Sequence, residues 1–281
     1  MLPIMLRSFG RSGSTLMMQV LGSHPNVIFD RTYPFENRHL TYIHRLSSVI
    51  KKDHEFSELW TPDSLFDANN AFVGPIPYKE FDIFDKKHLS NTALKYLWAA
   101  FSESLLEKSE IIDESLPVYY AEKVVQDICP DINSIIEAKN LFIFRDPRDE
   151  FLSIKSFNEK RGFHGFGWLD TDTDESFAAR MAESRKHYMR NLAKMKNDER
   201  RLVVLYEDFM ANPYNGTKLI SEWIGLPLSY DKVIENLGNV GQHITSKNIN
   251  GSTLRWKTEL SPSVLSVFDS IIGDELVLLG Y

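Results

Sequence analysis

Residues 1–21 read MLPIMLRSFGRSGSTLMMQVL, and the order of residue types in this stretch decides the fold. Pro3 to Leu6 is a short apolar run of strand length. A loop rich in Gly and Ser follows it, and Thr15 to Gly22 then carries a helical pattern. Strand, glycine-bearing loop and helix in that order present the N–H groups of Gly13, Ser14 and Thr15 at a helix N-terminus, where an anionic oxygen is favoured. Gly10 and Gly13 permit the tight turn and a close backbone approach. Arg11 adds a fixed positive charge, and the hydroxyls of Ser12, Ser14 and Thr15 add donors. A capped turn that binds nothing is the plain alternative.

A nucleotide-binding Walker A loop has the same topology and requires G-x-x-x-x-G-K-[ST]. Thr15 stands where the second glycine would fall after Gly10, and no lysine follows Gly13. The spacing and the missing lysine exclude that motif.

Working outward, short apolar runs alternate with longer helical patterns. Strands are expected over Pro3–Leu6, Asn26–Phe29, Val118–Val124, Leu141–Phe144 and Leu202–Leu205. Helices are expected over Thr15–Gly22, Asn91–Lys108, Asp131–Ala138, Glu175–Lys196, Tyr214–Ile224 and Pro262–Ile272. The alternation predicts an α/β fold, one domain over 1–281 with a central, largely parallel sheet flanked by helices in three layers. Two segments fit the alternation poorly, about 32–90 and 158–174, the second around the Gly/aromatic stretch Arg161 to Trp168. Inserts of this kind form lids and substrate walls.

A second anion motif lies in LFIFRDPRDEFLSI, an apolar run that ends at Arg145 with Ser153 in the helix beyond. A guanidinium supplies a charge-assisted fork to phosphate oxygens, and a serine completes the coordination. A solvated turn with Arg148 and Asp149 paired is the alternative for this segment taken alone. With GRSGSTL, the His24-Pro25 that follows it, and the R-x7-S spacing of Arg145 and Ser153, the chain resembles sulfotransferases that use 3′-phosphoadenosine-5′-phosphosulfate (PAPS).

The resemblance implies a sulfotransferase fold with Arg11, Ser12, Gly13, Ser14 and Thr15 at the 5′-phosphosulfate and Arg145 and Ser153 at the 3′-phosphate. RLVVLYEDFMANP resembles the family's strand ending in Tyr-Glu-Asp, which implies Tyr206 near the nucleotide and structural roles for Glu207 and Asp208. GSTLRWKTEL resembles the late cofactor-covering loop, implying phosphate contacts from Arg255 and Lys257 and closure by Trp256; core packing is the alternative for Trp256. Lys123, in PVYYAEKVVQD, falls where the family has a Glu-Lys pair and would stabilise the leaving-group charge, unless it is a solvated strand-end lysine. The family's tyrosylprotein branch has a Glu-x-Arg after the His-Pro, at a shorter interval than here. It points to Glu36 as general base with Arg38 orienting it, ahead of His39 and Asp30; a surface ion pair is the alternative. Sulfuryl transfer moves less charge than phosphoryl transfer, so no metal is expected to be required.

Composition bounds the rest. There are 39 acidic and 32 basic residues, a formal charge of −7, which argues against a protein that coats nucleic acid or anionic membrane. The single cysteine, Cys129, allows no internal disulfide or multi-thiolate metal site. No signal peptide is read, and the longest uncharged stretch, Ser12–Phe29, is too broken for a membrane span, which needs about 20 mostly apolar residues. The expectation is a cytoplasmic enzyme of secondary metabolism that sulfates a hydroxyl, amine or guanidinium of a small molecule. The acidic bulk favours a cationic alkaloid. A carbohydrate or glycolipid acceptor is the alternative, since Tyr33, Phe35, Tyr42, Trp60 and Trp168 could stack on sugars. A kinase-like phosphotransferase and an idle nucleotide-binding protein are readings of other kinds. The sequence gives no oligomeric state.

Overall fold

Strand β1, Leu2–Arg7, is buried at five of its six positions, as expected for the middle of a sheet covered on both faces. It lies between β3 (Tyr119–Val124) and β4 (Lys139–Phe144), and β2 (Val27–Ile28) and β5 (Arg201–Leu205) complete the sheet, in the order β2-β3-β1-β4-β5. Every pairing is parallel, with Ile4 opposite Ala121 on one side and Lys139 on the other. The computed structural model describes residues 1–51, 85–109, 113–124, 129, 131–236 and 249–281.

The period of two along each strand sorts side chains between two layers of helices. Ile4, Leu6, Tyr119, Ala121, Leu141, Ile143, Leu202 and Val204 point to one face, against α1 (Ser14–Leu21), α6 (Tyr206–Ala211), α7 (Pro213–Ile224) and α8 (Tyr230–Asn236). On the other face, Met5 and Tyr120 pack with α2 (His39–Ser48) and α3 (Lys86–Lys108). Phe142, Phe144, Val203 and Leu205 on that face meet α4 (Pro147–Arg161), α5 (Asp174–Lys194) and α10 (Pro262–Leu279). The short α9 (Trp256–Glu259) leads into α10. Among the described residues, no helix is long and apolar enough to cross a membrane.

The chain runs from β1 to β2 and β3 on one side, then returns to β4 and β5 on the other. Such a reversal opens a crevice at the carboxyl ends of the central strands, where open α/β sheets bind ligands. Arg7 closes β1 there, but its Nε donates to Asn140 Oδ1 at 2.7 Å and its Nη2 to the Cys129 carbonyl at 3.2 Å, so it braces the sheet.

Two expected helices differ from those formed. Asp131–Ala138 holds only a 3₁₀ turn, Ile132–Ser134. Its buried residues Ile132, Ile135 and Ala138 recur every three positions, the period of a 3₁₀ turn, and β4 starts directly after them. The last helix does not stop before Gly273. It breaks at Ile272 (φ −130°) and resumes to Leu279, ending on Gly280 in the left-handed conformation.

The start of α2 is set by a buried carboxylate. Glu122 accepts hydrogen bonds from the Leu40 N–H (2.8 Å), the Thr41 N–H (3.0 Å), the Thr41 hydroxyl (2.5 Å) and the Tyr120 hydroxyl (3.0 Å). Burial pushes its pKa up while these donors hold it down. The same contact fixes where residues 33–38 hang, immediately before α2. Glu122→Ala is predicted to cost about 3 kcal/mol by stranding two helix N–H groups, read as a lower denaturation midpoint; a midpoint at the wild-type value would refute the assignment.

Candidate active site

α1 departs from Gly13, whose φ of +93° only glycine adopts without strain. A Cβ on Gly13 would stand 2.5 Å from the Tyr206 ring, and one on Gly10 would stand 2.5 Å from the Phe166 ring. Both glycines therefore make room for aromatic side chains that brace the loop from two sides. The first bond of the helix runs from the Met17 N–H to the Gly13 carbonyl at 3.1 Å, so the N–H groups of Ser14 and Thr15 face out of its end. Buried Ser12 donates its hydroxyl proton back to the Phe9 carbonyl at 2.6 Å and serves the turn itself.

Two guanidiniums meet over this loop. Arg145, at the end of β4 and 5% exposed, donates from Nη1 to the Arg11 carbonyl at 3.0 Å and from Nη2 to the Ser252 carbonyl. Its Nε is buried with no hydrogen-bond partner, and its guanidinium lies 4.9 Å from the centre of the Tyr206 ring. Arg11, itself at φ +65°, donates from Nε to Ser153 Oγ at 3.2 Å and stacks 4.3 Å from the Phe157 ring centre. Burial, then the charge of Arg145, lower its pKa to about 10, with Arg161 adding and Tyr206 opposing. Two guanidiniums that feel each other's charge in a poorly solvated cleft make a candidate site for an anion.

Lys123 stands on the other side of the loop, 5% exposed. Its Nζ donates to Thr15 Oγ1 at 2.9 Å and to the Pro34 carbonyl at 2.6 Å, and Glu36 Oε1 lies 3.8 Å away. Burial lowers its pKa to about 8; Glu36 works against the shift, and Arg38 and Arg11 add to it.

The structure thus gathers Arg11, Gly13, Ser14, Thr15, Lys123, Arg145, Ser153, Tyr206 and Glu36 around one loop. Arg38 makes no ion pair with Glu36 among the described residues; Lys123 is the cation beside that carboxylate, and the Arg38 Nε is buried without a partner. His39 turns its ring toward Phe101 and Tyr120, with centres 5.4 and 6.4 Å away. Asp30 accepts bonds from the Thr32 N–H (2.7 Å) and the Asn37 amide, which hold its pKa down. Trp60 lies outside the described residues.

The late loop is docked by a residue the motifs did not single out. Asp149 accepts bonds from the Leu254 N–H at 2.6 Å and the Trp256 N–H at 2.9 Å, and the Tyr206 hydroxyl meets Ser252 Oγ at 2.8 Å. Trp256, partly exposed, packs against the α4–α5–α10 core with the Arg148 guanidinium 3.6 Å from its ring centre. Arg255 donates to Glu259 at 2.9 and 2.7 Å, and to Ser156 at 3.4 Å. Its Nη1 is buried without a partner. Lys257 is exposed, with its Nζ 5.5 Å from the centre of the Trp256 ring. Sequence reasoning also missed Phe157, although it shares a helix face with Ser153 four residues earlier. Lys155, Asn158, Phe163, Trp168 and Asp170, from α4 and the segment after it, line a cavity of about 440 Å³.

The model of the Sulfotransferase family matches residues 3–230, and the chain belongs to that family. A comparison with curated proteins found no match. Among solved structures, the sulfotransferase domain of the Synechococcus PCC 7002 olefin synthase is similar at 17% identity, covering 95% of this chain and 94% of that one, with a TM-score of 0.49. A mouse sulfotransferase complexed with PAP, at 13% identity, covers 98% of this chain and 84% of its own with a TM-score of 0.47. A sulfotransferase from Alicyclobacillus acidocaldarius, at 12% identity, covers 99% and 94% with a TM-score of 0.46.

The two loop glycines respond differently to a methyl group. Gly13→Ala meets a buried ring at a left-handed φ and is predicted to cost about 1–3 kcal/mol. Gly10→Ala meets Phe166, which is 42% exposed and can swing out, so it should cost less. Denaturant titration of both variants decides this, and equal losses would overturn the distinction. Lys123 gives a signed pH effect. Its folded pKa of about 8 lies below the ordinary 10.5, so the unfolded chain holds the extra proton between those values. The Lys123 contribution to stability therefore rises with pH across that window, and Lys123→Met should flatten the rise.

Proposed function

We propose that this chain is a PAPS-dependent sulfotransferase acting on a hydroxyl or amine of a small molecule, of the kind found in secondary metabolism. The observation that carries the reading is the Arg11–Arg145 pair, a half-buried and a buried cation with the Arg145 Nε unfilled. A polyanion with phosphate at each end meets that requirement, and PAPS is one. Bound there, PAPS supplies an activated sulfuryl group.

The residues fit such a ligand. Arg145 and Ser153 would hold the 3′-phosphate, with Tyr206 against the nucleotide and Arg255 completing the charge. Arg11 and the N–H groups at the start of α1 would hold the 5′-phosphosulfate oxygens. Lys123, fixed by Thr15 and the Pro34 carbonyl, would offset charge growing on the leaving phosphate oxygen. Glu36, beside it, would take the proton of the acceptor. The segments 32–90 and 158–174 would form the acceptor side.

Calorimetric titration is expected to show the product nucleotide 3′-phosphoadenosine-5′-phosphate (PAP) binding more tightly than ATP and without a Mg²⁺ requirement. Tight ATP binding with no PAP binding would overturn the reading. Lys123→Ala is expected to lower kcat by about 10²–10³. Since Lys123 loses its proton near pH 8, the rate without saturating cofactor should fall above that pH. Lys123→Arg should move this alkaline limb upward; a limb that stays in place would remove Lys123 from the chemistry.

A further inference from the structure

The cofactor reading uses Arg11, Lys123, Arg145 and Arg255, and leaves a cation on the acceptor side unused. Arg161 closes α4, eight residues beyond Ser153 and on the face that carries Phe157. Its guanidinium is held among three rings, 4.0 Å from the centre of Phe163, 4.7 Å from Phe157 and 5.3 Å from Phe166. Phe157 also carries Arg11, so a single ring separates Arg161 from the arginine of the phosphate loop, and the charge of Arg161 is felt there.

Aromatic rings around a guanidinium fix its plane and leave its in-plane donors unsatisfied. Nη2 donates to Asn158 Oδ1 at 2.7 Å, whereas Nε is buried with no partner. Among the described residues no carboxylate pairs with Arg161. Arg38, whose charge is felt at Lys123, likewise has a buried Nε without a partner. Buried guanidinium donors in native proteins are ordinarily filled, and the group that fills a planar fork best is an oxyanion. A cationic acceptor would instead face the like charges of Arg11, Arg38, Lys123 and Arg161.

We propose that Arg161 selects acceptors that carry an oxyanion, foremost a carboxylate, about one aromatic ring away from the reacting hydroxyl. The proposal rests on the sulfotransferase reading, and it reverses the preference for cations that the acidic composition suggested. The net charge of the chain and the charge of the pocket have opposite signs.

The test uses the full chain saturated with PAP, titrated with three phenols of matched shape: 4-hydroxyphenylacetate, 4-ethylphenol and tyramine. The acid is expected to bind at least tenfold more tightly than the neutral phenol, and tyramine more weakly than either. The margin should shrink as salt is added. In Arg161→Met, which keeps an apolar stem among the rings, the ratio of acid to neutral affinity should fall to near one. Arg161→Lys should restore part of it, charge without the fork. Tyramine binding as tightly as the acid overturns the proposal, as does an unchanged ratio in Arg161→Met, or no binding by any of the three. Because the wild-type ranking is itself decisive, the proposal stays testable if a variant fails to fold. Loss of PAP binding in the wild-type chain would overturn the sulfotransferase reading instead.

Discussion

The repulsion between Arg11 and Arg145 is the constraint around which the cleft is arranged. Like charges that share a poorly solvated space must be held there by other contacts. The chain does this with carbonyl oxygens rather than carboxylates. Arg145 donates to the Arg11 and Ser252 carbonyls, which fixes its position and leaves its charge unneutralised. A carboxylate in the same place would have filled the guanidinium and removed the reason for an anion to bind. The carboxylates that do lie close by face other partners. Asp149 holds backbone N–H groups of the late loop, and Glu150 pairs with Arg185.

The sheet order supplies the geometry for this arrangement. β1, β3 and β4 are adjacent, so the ends of three strands deliver the glycine-bearing loop, Lys123 and Arg145 to one edge. α4 then brings Ser153 and Phe157 back over Arg11. Hydrogen-bonded anchors in the core set how far each piece reaches. Glu122 fixes the entry of α2. Glu207, whose pKa burial raises to about 7, accepts from the Asp146 N–H and the Tyr281 hydroxyl and so steadies the turn after Arg145.

What was legible in the sequence was local or periodic. Most of the strands stand out as apolar runs because a parallel sheet buried on both faces needs them; β3, which carries Glu122 and Lys123, is the exception. Gly13 and the Arg145–Ser153 spacing mark turns whose geometry lies within a few residues. What was not legible depends on contacts between distant segments. The partner of Glu36 is decided by Glu122 and by the reach of Lys123, neither of which a Glu-x-Arg spacing encodes. Asp149 reads as half of a solvated pair with Arg148, yet Arg148 pairs with Asp146 and Asp149 turns to a loop more than a hundred residues away. Trp256 leans on the core while staying partly exposed, a position its motif does not encode. The Asp131–Ala138 pattern was misread because a spacing of three over so short a span fits both helix types.

The Ser252 carbonyl carries one further consequence. The contacts that restrain Arg145 come from residue 11, near the beginning of the chain, and residue 252, in its last tenth or so. Two segments far apart in sequence are therefore tied through one guanidinium, and a change that shifts the last loop would loosen Arg145 without touching it.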